Sequence, residues 1–446
     1  MKAIRVLALG LLALGLGVIG APRQSAATDW CSGRVCQEWV ARYAGPETSG
    51  DWASAIAVDG AGNVYVTGSS WNGSSYDYTT VKYDPAGTEA WVAQYDGPIG
   101  GQDRPLAMAV DGAGNVYVTG YSASARAEDY ATVKYDAAGN QLWAARYNGP
   151  GDWHDYARAI AVDGDGNVYV TGWSYGSATS AEDYATIKYD AMGNEVWVAR
   201  YDSGLDAAFA LALDGAGNVY VTGYTWPADG TSDYDYGTVK YDAGGNQLWA
   251  ARYNGAGNSR DIPWAIATDR GGSVYVTGES VGSGTGSDYA TIKYDPPNNE
   301  AWVARYDGPA NSSDIARATA VDSAGNVYVT GRSAGLGSSD DYATVKYAED
   351  GSELWTARYN GPGNGIDWAS AVAVDAAGRV YATGLSVGSA SGEDYATVSY
   401  DAGGNQLWAA RYDGPDSSQD DASAVAVDGV GIVYVTGLST GTARRP

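Results

Sequence analysis

Apolar positions in this chain fall in short runs rich in Val, Ile, Thr, Tyr and Trp, divided by Gly, Asn and Asp, and no stretch keeps a helical period. Residues 103–147 show the pattern in full. The run LAMAV alternates small Ala107 and Ala109 with larger neighbours, as expected of an inner strand crowded near an axis. The turn DGAGN leads to VYVTG, because Asn and Gly accept the positive φ angles of tight hairpins. A looser loop, YSASARAE, precedes DYATVKY, and a second tight turn, DAAGN, precedes QLWAARY. On that last run Trp143, Ala145 and Tyr147 alternate with Leu142, Ala144 and Arg146, so both faces carry packing residues.

The four-strand pattern repeats. Trp39, Trp91, Trp143, Trp197, Trp249, Trp302, Trp355 and Trp408 recur together with Tyr65, Tyr117, Tyr169, Tyr220, Tyr275, Tyr328, Tyr381 and Tyr434 at intervals of 51 to 55 residues. Four antiparallel strands repeated at this period predict an all-β chain, a β-propeller whose sheets are covered on both faces by their neighbours. Complete units run from about Trp52 to Tyr412, and Ala422–Gly437 with the strand around Trp39 supplies three strands more. The expectation is about eight blades, seven complete plus one closed by the N- and C-terminal strands, with seven blades as the alternative. The tail TARRP stands where DYATVKY is expected, which leaves truncation open.

Recurring Lys82, Lys134, Lys188, Lys240, Lys293 and Lys346 on the third strand are expected to reach a carboxylate or to lie over the adjacent Trp. The start of the chain reads as a signal peptide over residues 1–27: Lys2 and Arg5, an apolar run from Val6 to Gly20, then Ser25-Ala26-Ala27. The run is short and glycine-rich for a membrane anchor. Residues 28–446 form the repeat domain, expected to be secreted or at the cell surface, with no membrane insertion after cleavage. Loss of Lys2, Arg5 and Arg23 takes the formal net charge from −26 to −29. Such acidity opposes nucleic-acid binding and favours solubility and cations. Cys31 and Cys36, the only cysteines, are expected to form a disulfide in an exported chain.

The combination AVDGAGNVYVTG followed by DYATVKYDAAGNQLWAARYNG closely resembles the SBBP, or seven-bladed β-propeller, repeat of exported and cell-surface prokaryotic proteins. The resemblance implies the propeller fold and an extracellular setting, and no common activity. KYDAAGNQLW is also similar to the tryptophan-docking motif of quinoprotein propellers, which implies that Trp91, Trp143, Trp197, Trp249, Trp302, Trp355 and Trp408 each lock onto the next blade. The adjacent cysteine pair of many of those enzymes is absent. No cofactor is implied.

Function is expected on the variable loops, which all lie on one face. They hold Trp52, Trp71, Trp153, His154, Tyr175, Trp226, Trp264 and Trp368. These suit stacking on a glycan or gripping a peptide or partner protein, and equally suit packing between loops. Asp51, Asp103, Asp155, Asp206, Asp261, Asp314, Asp367 and Asp420 each lie eight residues before the Asp that ends the first strand, and so form a ring at one height near the channel mouth. Two readings are open. The ring concentrates cations, with oxygen ligands suited to calcium, or each Asp serves backbone N–H groups or pairs with Arg42, Arg146, Arg200, Arg252, Arg305, Arg358 or Arg411. The single histidine leaves few routes to a catalytic triad. A noncatalytic binding or scaffolding surface is therefore the leading reading. A polysaccharide hydrolase or lyase at the channel mouth and a structural spacer of a surface assembly are the alternatives.

Overall fold

The computed structural model describes residues 2–9, 31–32, 35–45, 50–176, 181–227, 233–297, 299–389, 391–415 and 419–440. The apolar run from residue 10 onward and the TARRP tail lie outside them. Seven sheets have four strands each, and in each the strands pair antiparallel in sequence order. They span residues 52–95, 103–147, 155–201, 204–253, 261–306, 314–359 and 367–412, called here blades one to seven. This is the all-β propeller that the repeats imply. Among the described residues no helix is long and apolar enough to cross a membrane.

The two ends of the chain meet between blade seven and blade one. One sheet there has the order Cys31–Ser32, Val35–Tyr43, Lys2–Leu9, Val433–Ser439, Asp420–Val427. The terminal strands expected to close the ring are present. The closing sheet holds five strands and not three, because Cys31–Ser32 forms a short hairpin with Val35–Tyr43 and Lys2–Leu9 pairs parallel with the strands on either side. Residues 2–9 belong to the segment read as a leader. Cys31 stands opposite Cys36 in that hairpin, and Cys36 is disulfide-bonded.

Each blade grips the next through aromatic rings that bury their bodies and keep a polar tip bonded. The fourth-strand indoles of Trp91, Trp143, Trp197, Trp302 and Trp355 donate to a turn carbonyl of the following blade at 2.9–3.2 Å. Trp39 makes the same bond to the Pro85 carbonyl at 3.3 Å and so joins the closing sheet to blade one. The turn must present no side chain to the indole: a Cβ on Gly139, whose φ is 87°, would lie 2.7 Å from Trp91. A third-strand tyrosine adds a second tie, as when Tyr130 donates to the Ala185 carbonyl at 3.1 Å. Indole and tyrosine rings meet across seven of the joints, for example Trp143 and Tyr189 at 6.2 Å. Such pairs contribute about 0.5–1.5 kcal/mol beyond area burial.

The recurring lysines meet the expectation in part: Lys240 reaches Asp214 at 3.9 Å and Lys293 reaches Asp295 at 3.1 Å, but the rings they cover are not the expected ones. Lys134 lies 4.9 Å from the ring of Tyr117, on its second-strand side, and its ammonium donates to the Ala191 carbonyl of the next blade at 3.1 Å. Lys82, Lys188, Lys240, Lys293 and Lys346 likewise sit over tyrosines, not tryptophans. The indole faces are already covered by the neighbouring turn, so only the tyrosine face is free to receive a cation.

Every first strand carries a β-bulge at its midpoint, marked by a register shift across Ala53/Ala55, Pro105/Ala107, Ala157/Ala159, Ala208/Ala210, Pro263/Ala265, Ala316/Ala318, Ala369/Ala371 and Ala422/Ala424. The bulge drives the first strand's backbone against the glycine of VYVTG. A Cβ on Gly278 would lie 2.0 Å from the Ile262 carbonyl oxygen, backbone that cannot move aside. Gly278→Ala is expected to destabilise the protein by about 2 kcal/mol or more, whereas Gly60→Ala, which meets nothing within 4 Å, is expected to stay within about 0.5 kcal/mol. Denaturant melts of the two variants measure the difference, and equal midpoints would remove the bulge as the reason for the repeated glycine.

Candidate functional site

A bulge re-aims the extra residue out of the pleat. Here that residue is Ser54, Leu106, Arg158, Phe209, Trp264, Arg317, Ser370 and Ser423 in turn, so this position of a repeated strand varies in chemistry. Phe209 stacks on Trp264 at 5.1 Å and 15°, and the Arg317 guanidinium lies 4.2 Å from the centre of the Trp264 ring. From the neighbouring blade Arg332 lies 4.6 Å over Trp368. Asp340 holds that second pair in place, accepting from Arg332 at 2.5 Å and from the Trp368 indole at 3.2 Å.

Trp264, Arg317, Arg332, Trp368, Ala369 and Ser370 enclose a recess of about 310 Å³ at the end of the blades where the variable loops enter. Two of its donors, the Trp264 indole N–H and Arg332 Nε, are buried and have no partner. Burial disfavours the charge on Arg317 first, and nearby Arg332 and Arg260 add to this, with Glu279 opposing. A cluster of arginines with unused donors on a chain of formal charge −26 is an acceptor site, suited to carboxylate and carbonyl groups.

The other loop aromatics are placed in separate clusters. Trp52 and Trp71 each lie 5.0 Å from Tyr76, and Arg104 covers Trp52 and Tyr76 at 5.3 and 5.2 Å. Trp153 meets His154, and His154 is bonded to Glu128 through Nδ1 and stacks near Tyr156. Tyr156 continues through Trp173 to Tyr175. Trp226 packs on Tyr234 at 5.1 Å, and Tyr234 continues through Tyr224 and Phe209 to Trp264. Thus Trp264 and Trp368 come together with Trp226 joined to Trp264 through that chain of rings, while Trp52, Trp71, Trp153, His154 and Tyr175 serve two other loop clusters. Arg317, Arg332, Arg104, Tyr156 and Asp340 were not singled out from the sequence. Variation at the bulge, three residues after each ring aspartate, is the signal that points to Arg317.

The eight ring aspartates stand at equivalent positions and are at most 1% exposed. Seven accept the backbone N–H of a glycine six residues earlier, at 2.6–2.9 Å. Asp206 instead accepts from Ser203 and Gly204. The fourth-strand arginines reach a different partner. Arg146, Arg200, Arg305, Arg358 and Arg411 bridge the third-strand aspartates Asp129, Asp183, Asp288, Asp341 and Asp394 at 2.6–3.0 Å, and Arg252 bridges Asp235. The reason is register: Arg146 stands opposite Ala131, two residues from Asp129 on the paired strand. Among the described residues three carboxylate groups lie close enough to hold a cation: Asp77, Asp96 and Asp103; Asp288, Asp307 and Asp314; Asp394, Asp413 and Asp420. Arg305 and Arg411 bridge one member of each of the last two, Asp288 and Asp394, and Gln94 stands at the corresponding place beside the first.

Residues 38–74 and 143–177 match the SBBP family model, a beta-propeller repeat, so the chain carries repeats of that family. An uncharacterized WD repeat-containing protein of Acanthamoeba polyphaga mimivirus is 26% identical over 268 residues, 52% of this chain and 18% of that protein. The chain thus spans less than a fifth of that relative's length. The crystal structure of Chaetomium thermophilum Sqt1 is similar, with a TM-score of 0.55 at 11% identity over 85% of this chain and 91% of that one. The same protein bound to the N-terminus of a ribosomal protein gives 0.53 at 12% identity, over 85% and 92% of the two chains. These likenesses show the fold.

The buried carboxylates set a pH dependence. Burial pushes Asp155 up to about 6, and burial followed by the nearby Glu393 pushes Asp421 up to about 6. A raised folded-state value stabilises fully below the unfolded value of about 3.9, and that contribution is lost as pH rises through about 6. The turn aspartates act oppositely: burial raises Asp111 and Asp163, but bonds from Asn115, Asn167 and the turn amides outweigh it and hold them low. Their contribution is lost as pH falls below the unfolded value. The melting temperature is therefore expected to peak between about pH 4 and 6. Asp421→Asn should raise it at pH 7 and flatten its fall from pH 5 to 7. A melting temperature that climbs steadily from pH 5 to 8 would contradict this account.

Proposed function

We propose that this is an exported, noncatalytic binding propeller whose loop face takes an acidic, extended segment of a partner protein into the recess between Trp264 and Trp368. The observation that carries the reading is the pair of unused buried donors beside two arginine-on-tryptophan stacks. A buried donor left unsatisfied is costly, and a carboxylate or main-chain carbonyl arriving there removes that cost. The stacks hold both guanidinium planes in fixed orientation, which limits the entropy lost on binding.

The surrounding charge supports a protein partner with local acidity and limited size. Elsewhere the acidic surface repels anions, so an anionic segment gains only by entering the arginine cluster, and the long-range field selects against bulk polyanions such as nucleic acid. Sqt1, a propeller of similar fold, is bound to the N-terminus of a ribosomal protein in its crystal structure, which supports a protein partner. Export rests on the charged, then apolar, then small-residue order of residues 1–27 and on the cysteine pair of the hairpin.

Indole fluorescence follows occupancy directly, since Trp264 and Trp368 line the recess. Titration with a flexible peptide carrying alternating Asp and aromatic residues is expected to give saturable quenching. Arg317→Ala and Trp264→Ala should each weaken it about tenfold or more without loss of the cooperative melt, and Trp71→Ala should leave it unchanged. Saturation by neutral oligosaccharides that is insensitive to Arg317→Ala would overturn the peptide reading in favour of a glycan.

A further inference from the structure

Blade one lacks a charge pairing that the other six complete blades make. In blades two to seven the fourth-strand arginine bridges the third-strand aspartate. Arg305 shows the arrangement. Its Nη1 donates to the Ser280 hydroxyl at 2.6 Å and to the Tyr253 hydroxyl of the preceding blade at 3.2 Å, and its Nη2 donates to the Ser280 carbonyl and to Asp288, both at 2.8 Å. Arg146, Arg200, Arg358 and Arg411 make the same serine and aspartate bonds. In blade one the position holds Gln94.

The acceptors around that position are kept. Ser70 stands opposite Asp77 as Ser280 stands opposite Asp288, and Gln94 stands opposite Thr79 as Arg305 stands opposite Ala290. Tyr43, at the end of Val35–Tyr43, holds the place of Tyr253. The Ser70 hydroxyl is 1% exposed and has no hydrogen-bond partner, with Tyr43 and Asp51 beside it. Asp77 is buried and receives neutral donors, Asn72 at 2.6 Å and Ser75 at 3.2 Å. Such bonds do not exclude a cation: in blade five one oxygen of Asp288 accepts from both Thr285 and Arg305. Burial first, then the charges of Asp96 and Asp103, hold the Asp77 carboxyl above its ordinary range, against the bonds from Asn72 and Ser75. Oxygens of Asp77, Asp96 and Asp103 lie within 4.8 Å of one another, and the two equivalent acidic groups each have the arginine that this one lacks.

We propose that the place beside Gln94 is a recognition site for a guanidinium group from outside the chain, supplied by an arginine side chain of a partner protein or by a small guanidinium compound. The Ser70 hydroxyl and carbonyl, the Tyr43 hydroxyl and the Asp77 carboxylate repeat the acceptor set that Arg305 engages from its own blade and the one before. A guanidinium presents five N–H donors in one plane and meets such a set from a single position, whereas an ammonium presents three donors from a point. The site therefore selects arginine over lysine. Gln94 is exposed, and the equivalent arginine side chains are 20–36% exposed, so the place opens to solvent at the outer strand. The acidic chain draws cations towards it. Other blades form the recess between Trp264 and Trp368, and the two sites do not depend on each other.

The test is calorimetric titration of the full chain with guanidinium chloride at constant ionic strength, kept below about 20 mM so that its denaturing effect stays small. The expected result is saturable binding with a Kd of about 1 mM and a melting temperature raised by about 1–2 °C. Gln94→Arg supplies the group internally, so it should abolish the binding and raise the melting temperature of the chain alone. Asp77→Asn should weaken the binding about tenfold. The blocked tripeptide acetyl-Gly-Arg-Gly-amide should displace guanidinium if a partner's arginine is the natural occupant, and should fail to do so if the occupant is a small compound. The tripeptide with lysine should not displace it in either case. No saturable heat, binding indifferent to Gln94→Arg, or equal displacement by calcium or by the lysine tripeptide would overturn the proposal.

Discussion

A blade of this protein cannot satisfy its own aromatic side chains. The indole of Trp143 and the hydroxyl of Tyr130 both find their acceptors on the following blade, at Ala191 and Ala185. A ring that packs its apolar body against a neighbour while leaving its polar tip unbonded in the joint would lose much of what burial contributes. Each blade is therefore stable only beside the next, and the ring only when closed. This dependence explains why tyrosine and tryptophan, 36 and 16 residues, so outnumber the single phenylalanine.

The same requirement fixes the small residues. The turn glycine over each indole and the VYVTG glycine beneath each bulge are places where another group already occupies the space a Cβ would need. The bulge in turn frees one residue per blade from packing. Scaffold and site are thus divided within a single strand: Asp314 and Ala316 are buried in the repeat, while Arg317, one residue on, stacks over Trp264 at the recess. Side chains at the bulge vary because they answer to the channel and not to the joint.

Much of this was legible in the sequence. The strands, the tight turns, the order of the complete blades and the docking role of Trp91 or Trp355 follow from a repeat in which identical residues meet identical neighbours. What was not legible depends on geometry across blades. The aspartate ring and the fourth-strand arginines share a repeat, which made them plausible partners. Only the pairing register shows that Arg146 reaches Asp129 while Asp103 is taken up by the Gly97 amide. Trp264 and Trp368 were visible as loop aromatics, but lie 104 positions apart and meet only because neighbouring blades bring Arg317 and Arg332 between them. The lysines misled for a related reason: Lys134 stands opposite Trp143 on the paired strand, yet the indole is covered by the next blade and the cation turns to Tyr117.

Closure is where a repeat architecture is most exposed to error, since the last joint is made by strands distant in sequence. Here one side of that joint is complete: Trp39 docks on Pro85 and packs against Tyr83 as Trp91, Trp143, Trp197, Trp302 and Trp355 do on their own neighbours. The other side keeps Arg42, Thr436 and Trp408 in their repeated positions around a strand of opposite direction. A strand of wrong direction supplies main-chain hydrogen bonds as well as a correct one, because parallel and antiparallel pairing differ little per residue.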